Sequence, residues 1–428
     1  MPVPPFLRPG SRPIRAGTAY LIFEGSWTLL HTVAFTLLLV YQVQTAHLSP
    51  LQLVLVGTVM EATCFLAEVP TGVVADLHSR RLSMLIGAVV VGIGIAVQGL
   101  FGSFVPILVG NVVWSIGWTF ISGADEAWIV DEVGADAVQP VLTRAEQLDR
   151  GMTVVGTLIG GALGLLDLHL PMIVAGCGYL LLALIMAPLL PETGFHPAPA
   201  AERETFAHLR GLLVTGLTAA RRRGVVRSFL IIALLAGISS EVFDRLWTAR
   251  ILHSFALPDV DGINQSALWF TGFALVGSLI ALAANLAANR FAARRINALH
   301  PAGLMAFLVI LQAAGMAGFA LAGSLSFALG AMWIRNAARS IAAPIRSAWL
   351  ARNVESSARA TTISLTSQAD AIGQVIGGPP LGLVATRTSI PFAMIISTLL
   401  LTPAAVVYAR LRPDPGQSCQ TDGSWPMS

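Results

Sequence analysis

Ionisable side chains stand inside stretches of this chain that are otherwise apolar, and they define the chemistry open to it. Glu24, Glu61, Glu68, Glu241, Asp244 and Asp370 each lie within an apolar run, as do Arg245, Arg250, Arg335 and Arg339. A charge at the centre of a lipid bilayer costs about 2.5–3.5 kcal/mol on insertion scales, so such residues either pair or work. Glu241 and Arg245 are four apart, near enough on a helix to neutralise each other. Arg335 and Arg339 have the same spacing, and Glu61 and Glu68, seven apart, share one helix face. Six acids against four arginines leave two carboxyls without a cation. A buried carboxyl of that kind can take up and release a proton. Proton coupling is therefore expected, with Glu61, Asp244 and Asp370 as first carriers and Glu24 and Glu241 behind them. His31 also lies in an apolar run and could titrate near neutrality, although packing is its plainer role.

Other chemistries find no support. No metal-ligand spacing, nucleophile elbow or phosphate loop occurs, so neither an enzyme nor a resident metal or cofactor is expected. Cys64 and Cys177 fall in apolar runs and Cys419 near the end, which predicts no disulfide framework. The pI near 9.0 is not concentrated in one basic patch, which argues against nucleic acid as a partner.

The elements holding these residues are membrane helices. Charged residues make up 11% of the chain against 55% hydrophobic, too few to coat a water-soluble surface. Twelve runs are long enough to span the hydrocarbon, near 18–44, 51–76, 82–101, 104–130, 145–166, 171–190, 227–255, 263–288, 299–323, 325–350, 360–385 and 389–410. Every basic residue is arginine. With both termini inside, nineteen arginines fall in internal segments and Arg387 alone outside. That asymmetry sets the orientation, with both termini cytoplasmic. The opening residues lack a cleavable leader pattern, so the first span should act as an uncleaved anchor. Arginine and alanine in place of lysine suggest a GC-rich bacterium, hence its inner membrane.

The spans form two related halves. Phe23-Glu24, Trp27-Thr28 and Phe35 recur 220 residues later as Phe243-Asp244, Trp247-Thr248 and Phe255. Ala127-Trp128 and Val133 recur as Ala348-Trp349 and Val354. The expected organisation is a short segment 1–17, a six-helix bundle 18–190, a connection 191–226, a second bundle 227–410 and a tail 411–428. Gly156, Gly160, Gly161 and Gly164 in the fifth span, and Gly373, Gly377, Gly378 and Gly382 in the eleventh, permit close helix packing.

Between the second and third spans the chain reads Gly72-Val-Val-Ala-Asp76-Leu-His-Ser79-Arg80-Arg81. A glycine, an acid four residues on and paired arginines resemble the signature loop of major facilitator superfamily transporters. A degenerate copy, Asn289-Arg290-Phe291 with Arg294-Arg295, follows the eighth span without the acid or the glycine. The resemblance implies an all-α membrane protein with twelve transmembrane helices in two pseudo-symmetric six-helix bundles, the major facilitator fold. It also implies a latch. Asp76 would cap a helix of the opposite half, and Arg80 or Arg81 would pair with Asp131 or Glu132, holding the outward-open state until inward opening breaks it. Gly72 and Glu68 would complete that gate.

The glycine-rich spans, together with Glu68-Val-Pro70-Thr71-Gly72 and Ser122-Gly-Ala-Asp125-Glu126-Ala-Trp128, resemble the twelve-helix drug:proton antiporter group. Two features depart from it. The proline of its fifth helix is missing, and Asn111 stands where its fourth helix carries a buried arginine. Asp125 and Glu126 would serve the gate or pair with Arg144 or Arg150. The resemblance implies a monomeric, proton-coupled exporter of amphipathic small molecules, its cavity lined by Trp27, His31, Trp118, Trp247, Arg335 and Arg339, with Trp333 a further contact. Small-molecule substrate, protons and lipid are then its partners. A proton-coupled importer of a metabolite, and a sensor or scaffold that transports nothing, are the rival readings.

Overall fold

The computed structural model describes residues 15–197, 211, 224–260, 264–295, 301–353 and 356–411, with backbone alone at 289–295, 351–353 and 356–361. Arg8, Arg12, Arg203, Arg210, Arg221, Arg222, Arg223, Arg412, Cys419 and Val354 lie outside the described residues.

Among the described residues twelve long helical segments follow one another: α1 (Ala16–Gln44), α2 (Pro50–Leu77), α3 (Arg80–Leu100), α4 (Phe104–Val133), α5 (Ala135–Leu166), α6 (Leu170–Met186), α7 (Gly224–Ser254), α8 (Gln265–Arg295), α9 (Pro301–Leu321), α10 (Leu325–Asn353), α11 (Ser356–Arg387) and α12 (Ile390–Arg410). Local sequence explains where they start. Ser49 caps α2 through a capping box with Gln52, ahead of Pro50. Ser79 accepts from the Leu82 amide at 2.8 Å to open α3, and Ser389 does the same for α12 through Phe392. Gly123 and Gly134, both in the left half of φ space at +83° and +84°, break α4 and end it.

Several boundaries differ from the sequence reading. The signature stretch is mostly helix, because α2 runs to Leu77 and only His78 and Ser79 separate it from α3. The fifth helix starts at Ala135, ten residues early, on a polar turn that apolar periodicity cannot reveal. Among the described residues eight helices are long and apolar enough to cross a membrane; α6 has only 17 residues, and α5, α10 and α11 fall outside that group. Leu166 and Leu184 are 78% and 72% exposed, as expected of side chains facing lipid.

The helices pack as two sixes, and the glycine rows show how the sixes meet. Gly156 and Gly160 of α5 rest on the α1 carbonyls of Leu29 and Val33, while Gly161 faces Thr271 of α8 and Gly164 lies between Leu37 of α1 and Ala267 of α8. The α11 row repeats this 217 or 218 residues on: Gly373 and Gly377 pack on α7, and Gly378 and Gly382 face Thr58 and Val54 of α2. Each row thus packs inside its own half on one side and across to the other half on the other. That is the geometry of a duplicated pair of bundles.

An even number of crossings puts residues 16 and 410 on one face, the terminal face. The described hydrogen bonds between the halves lie toward the other, far face. Gln44 donates to Ser266 at 2.8 Å, the Leu51 amide donates to Thr386 at 2.9 Å, and Arg245 reaches the Met60 sulfur. The halves are therefore closed together at the far face.

Candidate functional site

A cavity of about 520 Å³ lies on the terminal-face side of that closure. Its walls are the first half of α7 and α11, the last half of α10 and α12, and part of α9, with Glu61 reaching in from α2. Arg335, Arg339 and Arg346 of α10 all line it. At 3.6 residues per turn they fall within roughly 40° of one another around the helix, so one stripe of α10 is a wall of guanidinium groups. Opposite stand Asp370 and Gln374 of α11, and Phe229, Leu401 and Tyr408 supply an apolar side.

The charges are not shared as residue counting suggests. Asp244 accepts from Arg335 at 2.8 Å and from Arg339 at 2.7 Å, one oxygen to each. Arg335 is buried and also stacks over the Phe243 ring at 4.3 Å. Glu241 takes Arg245 at 3.1 Å, four residues along α7, as its spacing foretold. Arg250 meets no acid; its guanidinium donates to the carbonyls of Ala320 and Ala322 at the end of α9. Two arginines on one aspartate and a third on carbonyls leave more acids over than two. Among the described residues, Glu24, Glu61, Glu68 and Asp370 have no cation within 4.0 Å. Asp370 accepts from Gln374 at 2.8 Å. Asp244, a first-rank carrier on sequence, is instead the anion that neutralises α10.

The far closure is built around the Glu241–Arg245 pair. A methyl group on Gly57 of α2 would stand 1.9 Å from Glu241 Oε1 and 2.2 Å from Arg245 Nε. On the other side, a methyl on Gly378 of α11 would be 3.2 Å from Glu241 Cγ. The pair is therefore gripped between two glycines, one from each half. Glu241 is 2% exposed.

At the terminal face Arg80 is bonded to Asp131 and to the Ala127 carbonyl. Arg81 does not reach an acid with its side chain, which is bonded to the Ala187 carbonyl. Glu132 instead accepts from the amides of Thr193 and Gly194 and from the Thr193 hydroxyl. Sequence reasoning passed over Glu192, whose carboxylate takes the Ser79 hydroxyl at 2.7 Å and the Arg81 amide at 3.1 Å. Trp128 Nε1 donates to the Pro191 carbonyl at 2.8 Å. The segment after α6 is thereby strapped across the ends of α3 and α4. Asp76 makes no hydrogen bond or ion pair to a described residue, and neither does the exposed Glu68 side chain. Gly72 lies in the last turns of α2. Arg80 and Asp131 are paired while the far face is closed, so the expected breaking of this pair on opening at the terminal face does not occur here.

The expected aromatic lining is elsewhere. Trp27 is 6% exposed and packs on Phe23, Trp118 and Tyr179, at 6.0, 6.0 and 4.7 Å between rings. His31 stacks on Phe35 at 4.2 Å beside Trp114 and Trp118. Trp247 packs on Phe270, and Trp333 lies near Gly277 of α8. None of these residues lines the cavity, whereas Arg335 and Arg339 do. Hydropathy reports that a tryptophan is in the membrane, not which way it points.

The first half has its own cluster of acids. Glu24 lies beside Asp125 and Asp149, and Thr28 donates to Asp149 at 2.9 Å. Asp125 does not meet Arg144 or Arg150; Arg150 lies 4.0 Å from Glu146. Asp149 and Asp125 stand 221 residues before Asp370 and Arg346, the offset of Ala127 to Ala348 and about one helical turn from the 217 or 218 of the glycine rows. That offset was available in the sequence and is the signal that could have singled out Asp149 and Arg346.

Two packed six-helix bundles closed at one end over a cavity are the fold of the major facilitator transporters. No family model matches the sequence. The chain is similar to an uncharacterized MFS-type transporter, YxaM, of Bacillus subtilis (strain 168), 20% identical over 365 residues, 84% of this chain and 86% of that protein. Among solved structures, it resembles the nucleoside transporter NupG with a TM-score of 0.74, at 15% identity over 93% of this chain and 100% of that one. A bacterial homologue of the human lysosomal transporter Spinster, in an inward-facing and occupied conformation, gives 0.69 at 16% identity over 93% and 97%. A POT family transporter in complex with 5-aminolevulinic acid gives 0.68 at 14% identity over 92% and 95%. All four are transporters, and the likeness to the solved structures is one of fold.

Proposed function

We propose that the chain is a secondary active transporter that works by alternating access and couples to protons through Glu61 and Asp370. The observation that carries this reading is the placement of those two carboxyls. Both line a cavity closed at the far face, both lack a cation partner among the described residues, and they come from opposite halves. Moving the halves must change their separation and their access to water, which is what coupling requires. The arginine asymmetry supports a cytoplasmic terminal face in a bacterial inner membrane, so the conformation described is inward-open. Segments 18–190 and 227–410 are then the moving units, and 191–226 links them.

Drug efflux is what the resemblance to the drug:proton antiporters implies, and with it a cavity lined by tryptophans. The tryptophans pack inside the halves, so the cargo is better sought among molecules that carry a charged group, and the same machinery serves uptake or export.

Double electron–electron resonance on the full chain in nanodiscs tests this without a substrate. Spin labels on Ala46 and Thr388 report the far face, and labels on His78 and Arg410 the terminal face. Two exchanging populations are expected, their ratio set by pH and made insensitive to it by Glu61→Gln with Asp370→Asn. A single pH-independent population would fit the scaffold reading and overturn this one.

A further inference from the structure

The arginine stripe of α10 has one member left over, and the chemistry of the cavity follows from it. Arg335 is buried and spent on Asp244. Arg339 shares the same aspartate, yet its side chain is 53% exposed, so part of its donor fork faces the cavity. Arg346 lines the cavity, is exposed, and among the described residues has no hydrogen bond or ion pair. Seven residues separate it from Arg339, two turns or about 10 Å along one face. A guanidinium at membrane depth without an anion is costly. One that opens on a cavity is an available site for an oxyacid, which its planar fork can hold with two hydrogen bonds.

The other walls fit an organic anion. Phe229, Leu401 and Tyr408 add ring and aliphatic carbon to the lining. The cavity's own acids, Glu61 and Asp370, would repel an anion when charged and admit it once protonated. An anion entering with protons thus meets two or more positive groups, and a cation would meet the same groups as a barrier. Among the described residues the aromatic side chains of this lining are Phe229 and Tyr408, both buried and packed on Trp349, so they present no open aromatic box to a cationic drug.

We infer that the cargo is a small organic anion, a carboxylate or phosphate on an apolar body, whose acid group is held by Arg346 and the exposed side of Arg339. This rests on the transporter reading only in naming the bound anion as cargo; the binding itself does not need transport. Arg346 reads charge and Arg339 supports it, while Asp244 fixes where Arg339 stands.

The test uses the purified full chain in nanodiscs and four probes with one bicyclic body: 1-naphthoate, 1-naphthyl phosphate, 1-naphthylmethylamine and 1-naphthylmethanol. Calorimetric titration should show binding of at least one of the two anions, with the amine and the alcohol at least tenfold weaker, a charge-assisted pair being worth roughly 1.5–3 kcal/mol. Arg346→Gln should weaken the anion about tenfold or more, and Arg346→Lys should restore part of it. Among the described residues Arg346 has no hydrogen bond or ion pair to lose, only a longer-range attraction to Asp370, so the Gln variant should melt close to the parent, and the Lys variant keeps the test open if it does not. Equal or tighter binding of the amine, no binding of either anion, or an anion affinity unmoved by Arg346→Gln with the parental melt overturns the proposal. The same probes in proteoliposomes holding a pH dye separate the two readings. Anion binding that depends on Arg346 without any proton movement refutes transport and leaves the anion site standing; proton movement driven by the amine alone does the reverse.

Discussion

Gly57→Ala is the most economical perturbation of the conformational equilibrium, since it adds one methyl group at the closed far face. The new carbon would lie 1.9 Å from Glu241 Oε1, 2.2 Å from Arg245 Nε and 2.7 Å from Arg245 Cζ. Ordinary contact needs well over 3 Å, so the ion pair must retreat by more than an ångström. It has little room, because Glu241 is 2% exposed and α11 approaches its other side at Gly378. Forcing a methyl into such packing costs about 1–3 kcal/mol. The clash exists only while α2 lies against α7, so separating the far ends relieves it. The cost therefore appears as a shift toward the far-open state of roughly 5- to 150-fold. Val54 is fully buried in the same seam, facing Gly378 and Gly382. With Cys64, Cys177 and Cys419 replaced, Val54→Cys should react with an impermeant maleimide at the far face at least fivefold faster when Gly57→Ala is present. An unchanged rate in a protein that folds normally would refute the claim that these glycines seal the molecule.

Further outcomes follow from the charge pattern. Asp244→Asn leaves Arg335 and Arg339 facing each other without an anion and should cost about 3–5 kcal/mol in thermal or denaturant unfolding; Asp370→Asn, which strands no cation, should cost under roughly 1 kcal/mol. Arg80→Gln and Asp131→Asn should each lower stability by about 1–3 kcal/mol, and the double variant by no more than either alone, as a double-mutant cycle would show. Glu192→Gln removes the anion from the Ser79 hydroxyl and the Arg81 amide and should cost about 1 kcal/mol. It should also make residues 187–197 more open to limited proteolysis.

The sequence disclosed what depends on spacing along one helix or on a duplicated register. Glu241 and Arg245 were legible because i, i+4 neighbours meet in any helix, and the two glycine rows because their spacing marks close packing. Which half each glycine touches was not legible, since that depends on the angle at which α5 and α11 pass their neighbours. Arg80 with Asp131 was readable from the signature stretch, but Glu192 was not, because it follows α6 and reaches α3 only after the chain has turned back. The largest miss concerned pairing between helices. Counting acids against arginines treats every charge as exchangeable, whereas Asp244 takes two arginines and Arg250 takes carbonyls, leaving Glu61, Asp370 and Arg346 available. The tryptophans failed for a related reason: apolar character fixes depth, and only helix rotation decides between lipid, core and cavity.

The central claim is that one cavity is reached from each face in turn. Ser367 lines that cavity and is exposed to it. A Ser367→Cys chain in vesicles should react with impermeant maleimide added to either face. A Leu51→Cys and Gly382→Cys disulfide should close the far route, a Cβ on Gly382 lying 3.4 Å from Leu51 Cα. With that lock formed first, labelling should persist from the terminal face and vanish from the far one. Labelling from one face alone, locked or not, would contradict alternating access.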